Sequence, residues 1–147
     1  MRLIVLRTIV TWKESPANAG RCVRLSASER DLVVSAQPTR LEQVLTNLLD
    51  NAAQNSAPEQ PIDVLLERDG PRARVRVRDS GRGLSPEALE RMFQPFFTSR
   101  PGGTGLGLAL VRSIVDAHGG SVAGWNNVPP PGCTIEFTLP LRETSGR

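Results

Sequence analysis

Residues 38–55 read PTRLEQVLTNLLDNAAQN, and this stretch sets the architecture that the rest of the chain must fit. Its apolar residues recur at the spacing i, i+3, i+4 and i+7, which predicts a helix with one buried face. Pro38 suits the first turn of a helix, and Pro58 and Pro61 end it. The predicted helix therefore runs from Pro38 to Asn55. Its buried stripe comprises Leu41, Val44, Leu45, Leu48, Leu49 and Ala52.

A neighbouring face of this helix is polar, with Gln43, Asn47, Asn51 and Gln54 at i, i+4, i+8 and i+11. Most polar helix faces are only solvated. Asn is a poor helix former with no packing reason to recur here, so the two asparagines favour a ligand-binding role. An amide oxygen is a hard ligand that can hold magnesium beside a nucleotide.

Strands that follow each other in sequence indicate hairpins, and therefore a two-layer α/β sandwich with a mixed, mostly antiparallel sheet and helices on one face. Upstream, we expect a strand or short helix over 1–10, a turn over 13–20 and a short strand over 32–35. Downstream, we expect strands at 62–66 and 73–79, a short helix capped by Ser85, a loop over 94–104, a helix over 106–118, and strands at 121–125 and 134–139.

Two glycine-rich motifs point to a nucleotide. Asp79 ends a strand and begins DSGRG, where the carboxylate can accept a hydrogen bond from an exocyclic amine and the glycines let the backbone approach a flat ligand. The run GGTGLGL over 102–108 leads into a helix, and free amides at a helix start attract phosphate. Taken alone, the first motif could be a turn, and the second is weak evidence.

Composition narrows the classes of function. The 147 residues suggest one domain, and no apolar run reaches the length of a membrane span. The net charge of +3 is scattered and only 4% of residues are aromatic, which disfavours a nucleic-acid surface. Cys22 and Cys133 have no metal-ligand spacing, so we expect buried free thiols and a cytoplasmic location.

Four stretches together resemble the four nucleotide-binding boxes of sensor histidine kinases, in the family's order. They are LEQVLTNLLDNAAQ (41–54), VRDSGRGLS (77–85), MFQPFFTSR (92–100) and GGTGLGLALVRSIVDAHGG (102–120). The resemblance covers roughly residues 25–141, and the set is specific. It implies the Bergerat ATP-binding fold, which gyrase-type ATPases, Hsp90-type chaperones and anti-sigma-factor kinases share. The segment PFFTSRPGGTGLGL looks most like nitrogen-regulator and dicarboxylate-sensor kinases.

The resemblance implies ATP and Mg²⁺ as cofactors and assigns a role to each matching residue. Asn51 matches the magnesium ligand, and Asn47 matches the polar position one turn before it. Asp79 matches the aspartate that recognises the adenine amino group. The other implied nucleotide contacts are Gly81 and Gly83 beside the base, Gly103, Thr104, Gly105, Leu106 and Gly107 around the phosphates, and Thr134 near the base.

The phenylalanines Phe93, Phe96 and Phe97 match a box that packs a mobile lid, here the segment from Gln94 to Thr104. Ordinary core packing is the alternative for these rings. Phe97 is included among the predicted nucleotide-binding residues.

Three positions depart from the family's pattern. Gln54 stands where a lysine is common, so a phosphate contact is either lost or supplied elsewhere, with Arg100 as the candidate. Gln37 stands near a place that often holds aspartate. Relatives that hydrolyse ATP carry a glutamate base where this chain has Asn47, so simple hydrolysis should be slow.

The single histidine, His118, ends a helix in DAHGG and matches a structural position. The resemblance therefore implies transfer of the ATP γ-phosphoryl group to a histidine on a separate dimerisation domain, with a response regulator as an indirect partner. Two alternatives stay open: a module that binds ATP without transferring it, and an anti-sigma-type serine kinase. We expect a monomer with an N-terminal remnant or linker (1–20), the catalytic domain (21–142) and a tail (143–147).

Overall fold

The computed structural model describes residues 1–28, 32–98 and 105–142. Within these ranges the chain forms four helices and five strands. The helices are α1 (Arg2–Lys13), α2 (Pro38–Asn55), α3 (Pro86–Arg91) and α4 (Gly107–Ala117), and the strands are β1 (Val23–Ala27), β2 (Ile62–Asp69), β3 (Arg72–Arg78), β4 (Ser121–Asn126) and β5 (Cys133–Pro140).

The five strands form one sheet in the order β1-β2-β3-β5-β4. β1 pairs with β2 in parallel, and the other three pairings are antiparallel. β2 and β3 form a hairpin that places Val64 opposite Val77, and β3 continues the register with Val75 opposite Phe137. The prediction of a mixed, mostly antiparallel sheet is confirmed.

Alternation along the strands separates the two faces of the sheet. On β3 the side chains of Val75 and Val77 are buried, while Arg74 and Arg76 lie on the opposite face. There both arginines pair with Glu136 of β5, the shorter contact being 2.9 Å. The helices cover only the apolar face, so the structure has two layers, as predicted. The buried hydrophobic residues of the sheet are Ile62, Val64, Leu66, Ala73, Val75, Val77, Cys133, Ile135, Phe137 and Leu139.

α2 fills the centre of the helical layer, with the bounds predicted from sequence. All six residues of its predicted apolar stripe are buried, none of them more than 3% exposed. Full burial of one such aliphatic side chain contributes about 1.5–3 kcal/mol, so this stripe is a major source of core stability. α4 packs beside α2 and ends at Ala117, and Gly119 follows its C-cap His118 with a φ of +78°, the left-handed conformation common after a helix C-terminus.

The strand content of the region before α2 differs from the prediction. β1 was not predicted, because VRLSA is short and only half-buried and its partner β2 lies 35 or more residues away. The predicted strand over 32–35 is wrong: Val34 makes a single bridge to Leu141. For residues 1–10 the sequence left strand and helix open; residues 2–10 form part of α1, and Met1 is its N-cap.

α1 packs against α2 through Val5, Ile9 and Trp12, each of which is buried. The Trp12 indole Nε1–H donates to Asp50 Oδ1 at 2.8 Å, which ties α1 to the helix turn that carries Asn51. The division of the chain at residue 20 stays a prediction, although α1 shares the core. No helix in the described ranges is both long and apolar enough to cross a membrane.

Trp12→Phe removes the indole donor but keeps an aromatic ring in the core. Because Asp50 then loses its partner in a half-buried position, we expect the free energy of unfolding to fall by about 1–3 kcal/mol. Urea denaturation measures this change. The control is Leu3→Ala on the same helix, whose side chain is 73% exposed. Equal stability of both variants would show that α1 does not depend on this contact.

Candidate functional site

Asp79 follows β3 and is buried, with 2% of its surface exposed. Its Oδ1 accepts hydrogen bonds from the backbone N–H groups of Gly81 at 2.9 Å and Cys133 at 3.3 Å. Burial raises the pKa of the carboxyl group, and these two N–H donors oppose that rise. Its Oδ2 has no hydrogen-bond partner among the described residues. An unpaired carboxylate oxygen is a strong acceptor, so Oδ2 is suited to accept from a ligand amine.

A buried amide fixes the surroundings of this carboxyl group. Asn127 is 5% exposed, and its Nδ2 donates to the carbonyl oxygens of Asp79 and Pro131, each at 2.9 Å. Its Oδ1 accepts from the Thr134 hydroxyl at 2.6 Å. Thr134 therefore lies in the Asp79 network, and its role near the base stays a prediction. Sequence reasoning missed Asn127, because an Asn in a turn is an ordinary local choice.

Gly81 brings Asp79 close to the C-terminal end of α2. A Cβ atom at this position would overlap the carbonyl oxygen of Asn55, so only glycine permits the contact. Gly83 has a φ of +78° and lies against the amide of Asn126, which bonds both the N–H and the C=O of Leu84. The DSGRG turn is thus held between α2 and β4.

One face of α2 carries Asn47, Asn51 and Asn55 at successive turns, about 6 Å apart along the axis. Asn47 lies beside the start of α4, because a Cβ on Gly107 would stand 3.9 Å from its Oδ1. Asn55 meets Gly81 at the other end. Half-buried Asn51 therefore lies on this face between Asn47, which is beside Gly107, and Asn55, which meets Gly81. Asn47 and Asn51 are predicted site residues, whereas Asn55 was not predicted.

The polar groups of this face fit a nucleotide with a bound metal. The Nδ2 of Asn47 is buried and has no hydrogen-bond partner among the described residues, so a donor is available to a ligand oxygen. Across the described ranges no three His, Cys, Asp or Glu side chains cluster as a metal site. A Mg²⁺ ion that shares phosphate oxygens needs only one or two protein oxygens, and Asn51 can supply one of these.

The phenylalanine segment is anchored on both sides of residues 99–104. The Phe96 N–H donates to Gly105 O at 2.9 Å, and Gly105, at a φ of +72°, packs so closely on this backbone that a Cβ would overlap it. The Phe97 ring lies under the Arg91 guanidinium, 4.9 Å from the ring centre. Phe96 and Leu106 are exposed, while Phe93 packs partly against the core. The predicted site residues Arg100, Gly103 and Thr104 lie outside the described residues.

Gln54 is exposed at the C-terminal end of α2, where it lines an open cleft together with Gly81. His118 follows α4, and its Nδ1 lies 2.8 Å from the carbonyl oxygen of Ile114, a structural placement.

Burial, with a further contribution from Asp79, raises the pKa of the Cys133 thiol to about 12, so it stays protonated. The expectation that both thiols are buried is wrong for Cys22, which is exposed.

The raised pKa of Asp79 predicts an unusual stability profile. Above the ordinary carboxyl pKa of 3.8 the folded state holds this proton more tightly than the unfolded state, so stability falls as pH rises from 3.8 through the raised pKa. Asp79→Asn keeps an acceptor for Gly81 and Cys133 but removes the charge. We therefore expect the ligand-free variant to be at least as stable as the parent at pH 7, with the difference shrinking as pH falls to 3.8.

Urea denaturation at a series of pH values measures this difference, with Glu90→Gln as the control because Glu90 is exposed. An Asp79→Asn protein that is less stable than the parent at every pH would contradict the assignment of a strained, buried charge.

The sequence matches a known family over most of its length. Residues 36–143 match the family described as histidine kinase-, DNA gyrase B- and HSP90-like ATPases. The chain is 38% identical over 126 residues to the sensor histidine kinase ZraS of Klebsiella oxytoca, covering 84% of this chain and 27% of that protein. It is 34% identical to the sensor protein ChvG of Agrobacterium fabrum, covering 97% of this chain and 26% of that protein. The chain thus spans about a quarter of these relatives.

Solved structures agree with the family match. The catalytic domain of histidine kinase ThkA, in a nucleotide-free form, superposes with a TM-score of 0.85 at 32% identity, covering 96% of this chain and 92% of that one. The mycobacterial sensor histidine kinase MprB gives 0.86 at 28% identity, covering 98% and 97%. The chain therefore belongs to the histidine kinase-, gyrase- and HSP90-like ATPases, as an ATP-binding catalytic domain of the sensor histidine kinase type.

Proposed function

We propose that this domain transfers the γ-phosphoryl group of ATP to a histidine on a dimerisation domain that is not among the described residues. The main observation in support is that two hydrogen-bonding groups of the site, one acceptor and one donor, have no partner among the described residues. Asp79 Oδ2 is an acceptor without a partner, and Asn47 Nδ2 is a buried donor without one. An adenine amine and a phosphate oxygen are complementary to these two groups.

Asp79 recognises the base by accepting from its exocyclic amine. Because the carboxyl group is fixed by two backbone N–H donors and by the Asn127 amide, it is oriented before the nucleotide arrives. Such preorganisation reduces the entropy lost on binding. Gly81 and Gly83 keep the backbone beside the base free of side chains, and Thr134 supports Asp79 through Asn127.

Asn51 holds Mg²⁺ through its side-chain oxygen, and Asn47 donates to a phosphate oxygen. The metal supplies neutralisation of phosphate charge when it is bound. Gly105, Leu106 and Gly107 present the start of α4 to the phosphates, where free amides favour anions. Arg100, Gln54, Gly103 and Thr104 complete the proposed phosphate contacts, and Phe97 belongs to the lid segment as a further proposed nucleotide contact.

Asn47 also limits side reactions. An amide cannot take a proton from water, so no base stands at this position to activate hydrolysis. Phosphoryl transfer itself needs little more than positioning and charge neutralisation. The proposed site therefore holds ATP until a protein nucleophile arrives.

Two solved relatives support the choice of partners. ThkA has been solved in complex with the response regulator TrrA, and full-length ShkA with AMPPNP; both superpose with a TM-score of 0.82, at 29% and 26% identity. We infer a phosphoacceptor domain as the direct partner and a response regulator as the indirect one. The proposal has three further parts. The segment PFFTSRPGGTGLGL relates this domain to the nitrogen-regulator and dicarboxylate-sensor kinases, the isolated domain is a monomer, and its location is cytoplasmic.

Nucleotide binding tests the site residues separately. Asp79→Asn places an amide donor near the adenine amine, so ATP binding should weaken about 10- to 100-fold, as expected for loss of a charged hydrogen bond. Asn51→Ala should weaken ATP binding only when Mg²⁺ is present. Calorimetry with a non-hydrolysable ATP analogue, with Mg²⁺ and with EDTA, measures both effects. Unchanged affinity in both variants would refute the assignment.

Phosphotransfer separates the proposed function from its alternatives. Mixing this chain with ATP and the dimerisation domain of a related kinase such as ZraS should produce acid-labile phosphohistidine on that domain, and Asp79→Asn should abolish it. ATP binding without phosphohistidine would favour a binding module. Acid-stable phosphoserine on a small antagonist protein would favour an anti-sigma-type serine kinase.

A further inference from the structure

A buried arginine lies shortly before β1. Arg21 is only 7% exposed, and its Nη2 donates to the hydroxyl of Ser56 at 2.7 Å. Its Nε is buried and has no hydrogen-bond partner among the described residues. Arg21 also forms no salt bridge within the parts of the chain that the structure describes. A buried cation without a carboxylate is costly, so its contact with Ser56 needs an explanation.

Arg21 supplies a positive charge that the end of α2 lacks. α2 has no basic residue in its last turn, and Ser56 is its C-cap. The last carbonyl groups of a helix carry the equivalent of roughly −0.5 of a unit charge, so a cation stabilises this end. The Ser56 hydroxyl that accepts from Arg21 donates in turn to the carbonyl oxygen of Ala52 at 2.7 Å. Arg21 is thus tied to the last turn of α2.

The backbone around Arg21 is fixed on both sides. The Arg21 N–H donates to the carbonyl oxygen of Asn18 at 3.0 Å, and the carbonyl oxygen of Cys22 accepts from the N–H of Ile62 at 2.9 Å. The second of these bonds joins the chain before β1 to the start of β2. The Arg21 side chain therefore connects the sheet to the end of α2, and it can restrain that end.

The same end of α2 touches the turn that follows Asp79. A Cβ atom on Gly81 would overlap the carbonyl oxygen of Asn55, so these two backbone segments are in direct contact. The Gly81 N–H donates to Asp79 Oδ1 at 2.9 Å. The position of Asn55 therefore sets the position of Gly81, and Gly81 in turn helps to orient the Asp79 carboxylate.

We propose that Arg21 is a positioning residue for adenine recognition, because it holds the end of α2 against Gly81 and so keeps Asp79 Oδ2 aimed at the exocyclic amine of the base. This inference rests on the proposed function, in which Asp79 binds adenine. It adds a residue outside the four nucleotide-binding boxes that acts through Ser56 rather than by touching the nucleotide. Without Arg21 the carboxylate keeps its donors but is held less firmly, and a less preorganised acceptor binds more weakly.

The preference for ATP over inosine triphosphate (ITP) measures this orientation. Inosine carries a carbonyl oxygen in place of the exocyclic amine, so Asp79 can accept a hydrogen bond at this position only from ATP. Calorimetry on the whole chain with Mg²⁺ should show tighter binding of ATP, and Asp79→Asn should remove the preference. Arg21→Met removes the charge and the donors and keeps an unbranched apolar side chain. It should lower the ratio of ATP to ITP affinity about three- to tenfold, the effect of weakening one hydrogen bond.

A rescue, a coupling test and a control separate positioning from stability alone. Arg21→Lys keeps the charge and a donor for Ser56, so most of the preference should return. Ser56→Ala should lower the ratio by itself, and its addition to Arg21→Met should have little further effect, because both act through one contact. The matched control is Arg24→Met in β1, which removes an exposed arginine paired with Asp63. Since exposed ion pairs contribute little, it should leave the ratio unchanged.

Urea denaturation of each variant shows whether stability and preference change together. The positioning role is overturned if Arg21→Met and Ser56→Ala lower the free energy of unfolding but leave the ratio of ATP to ITP affinity at the parent value. If Arg21→Met does not fold, an unchanged ratio in Ser56→Ala is sufficient to overturn it. A parent chain without a preference for ATP, or a preference that survives Asp79→Asn, would instead refute the adenine site at Asp79, and this inference with it.

Discussion

The burial of one carboxyl group constrains the rest of the site. Asp79 sits at the end of a central strand with 2% of its surface exposed, where a charge is costly unless it is hydrogen-bonded. Two backbone N–H groups satisfy one oxygen and leave the other without a partner. Gly132, at a φ of +101°, and Asn127 both approach the Asp79 carbonyl oxygen, so the β4–β5 connection is shaped around this residue. The buried charge lowers the free energy of unfolding, but the same arrangement holds the second carboxylate oxygen in position to accept a hydrogen bond.

α2 connects this site to the core. Its apolar stripe packs against the sheet and α4, and its asparagines lie on the adjoining face between the two glycine motifs. The same helix receives α1 through Trp12 and Asp50, one residue before Asn51. A shift of α1 would therefore act on the helix turn that carries the proposed metal ligand.

Local patterns were sufficient for elements whose stability is local or strongly periodic. The bounds of α2, the alternation of β3, the Ser85 cap and the end of α4 before Gly119 were all readable, because each depends on helical or strand spacing, or on a cap or glycine within a few residues. β1 was not readable, since VRLSA becomes a strand only by pairing with a segment far along the chain. The two thiols show the same limit: Cys22 is exposed and Cys133 is buried, and neither sequence context distinguishes them.

The sequence by itself determined the family, the fold class and the order of the nucleotide-binding motifs, because these depend on residue types at fixed spacings. Only the tertiary structure decided how the motifs meet. Gly81 is required because the Asn55 carbonyl lies where its Cβ would be, and Asn127 matters because its amide reaches Asp79 across 48 residues of sequence. Arg21 joins the end of α2 for the same reason. Contacts between distant segments form only when the core has packed, so no local pattern records them.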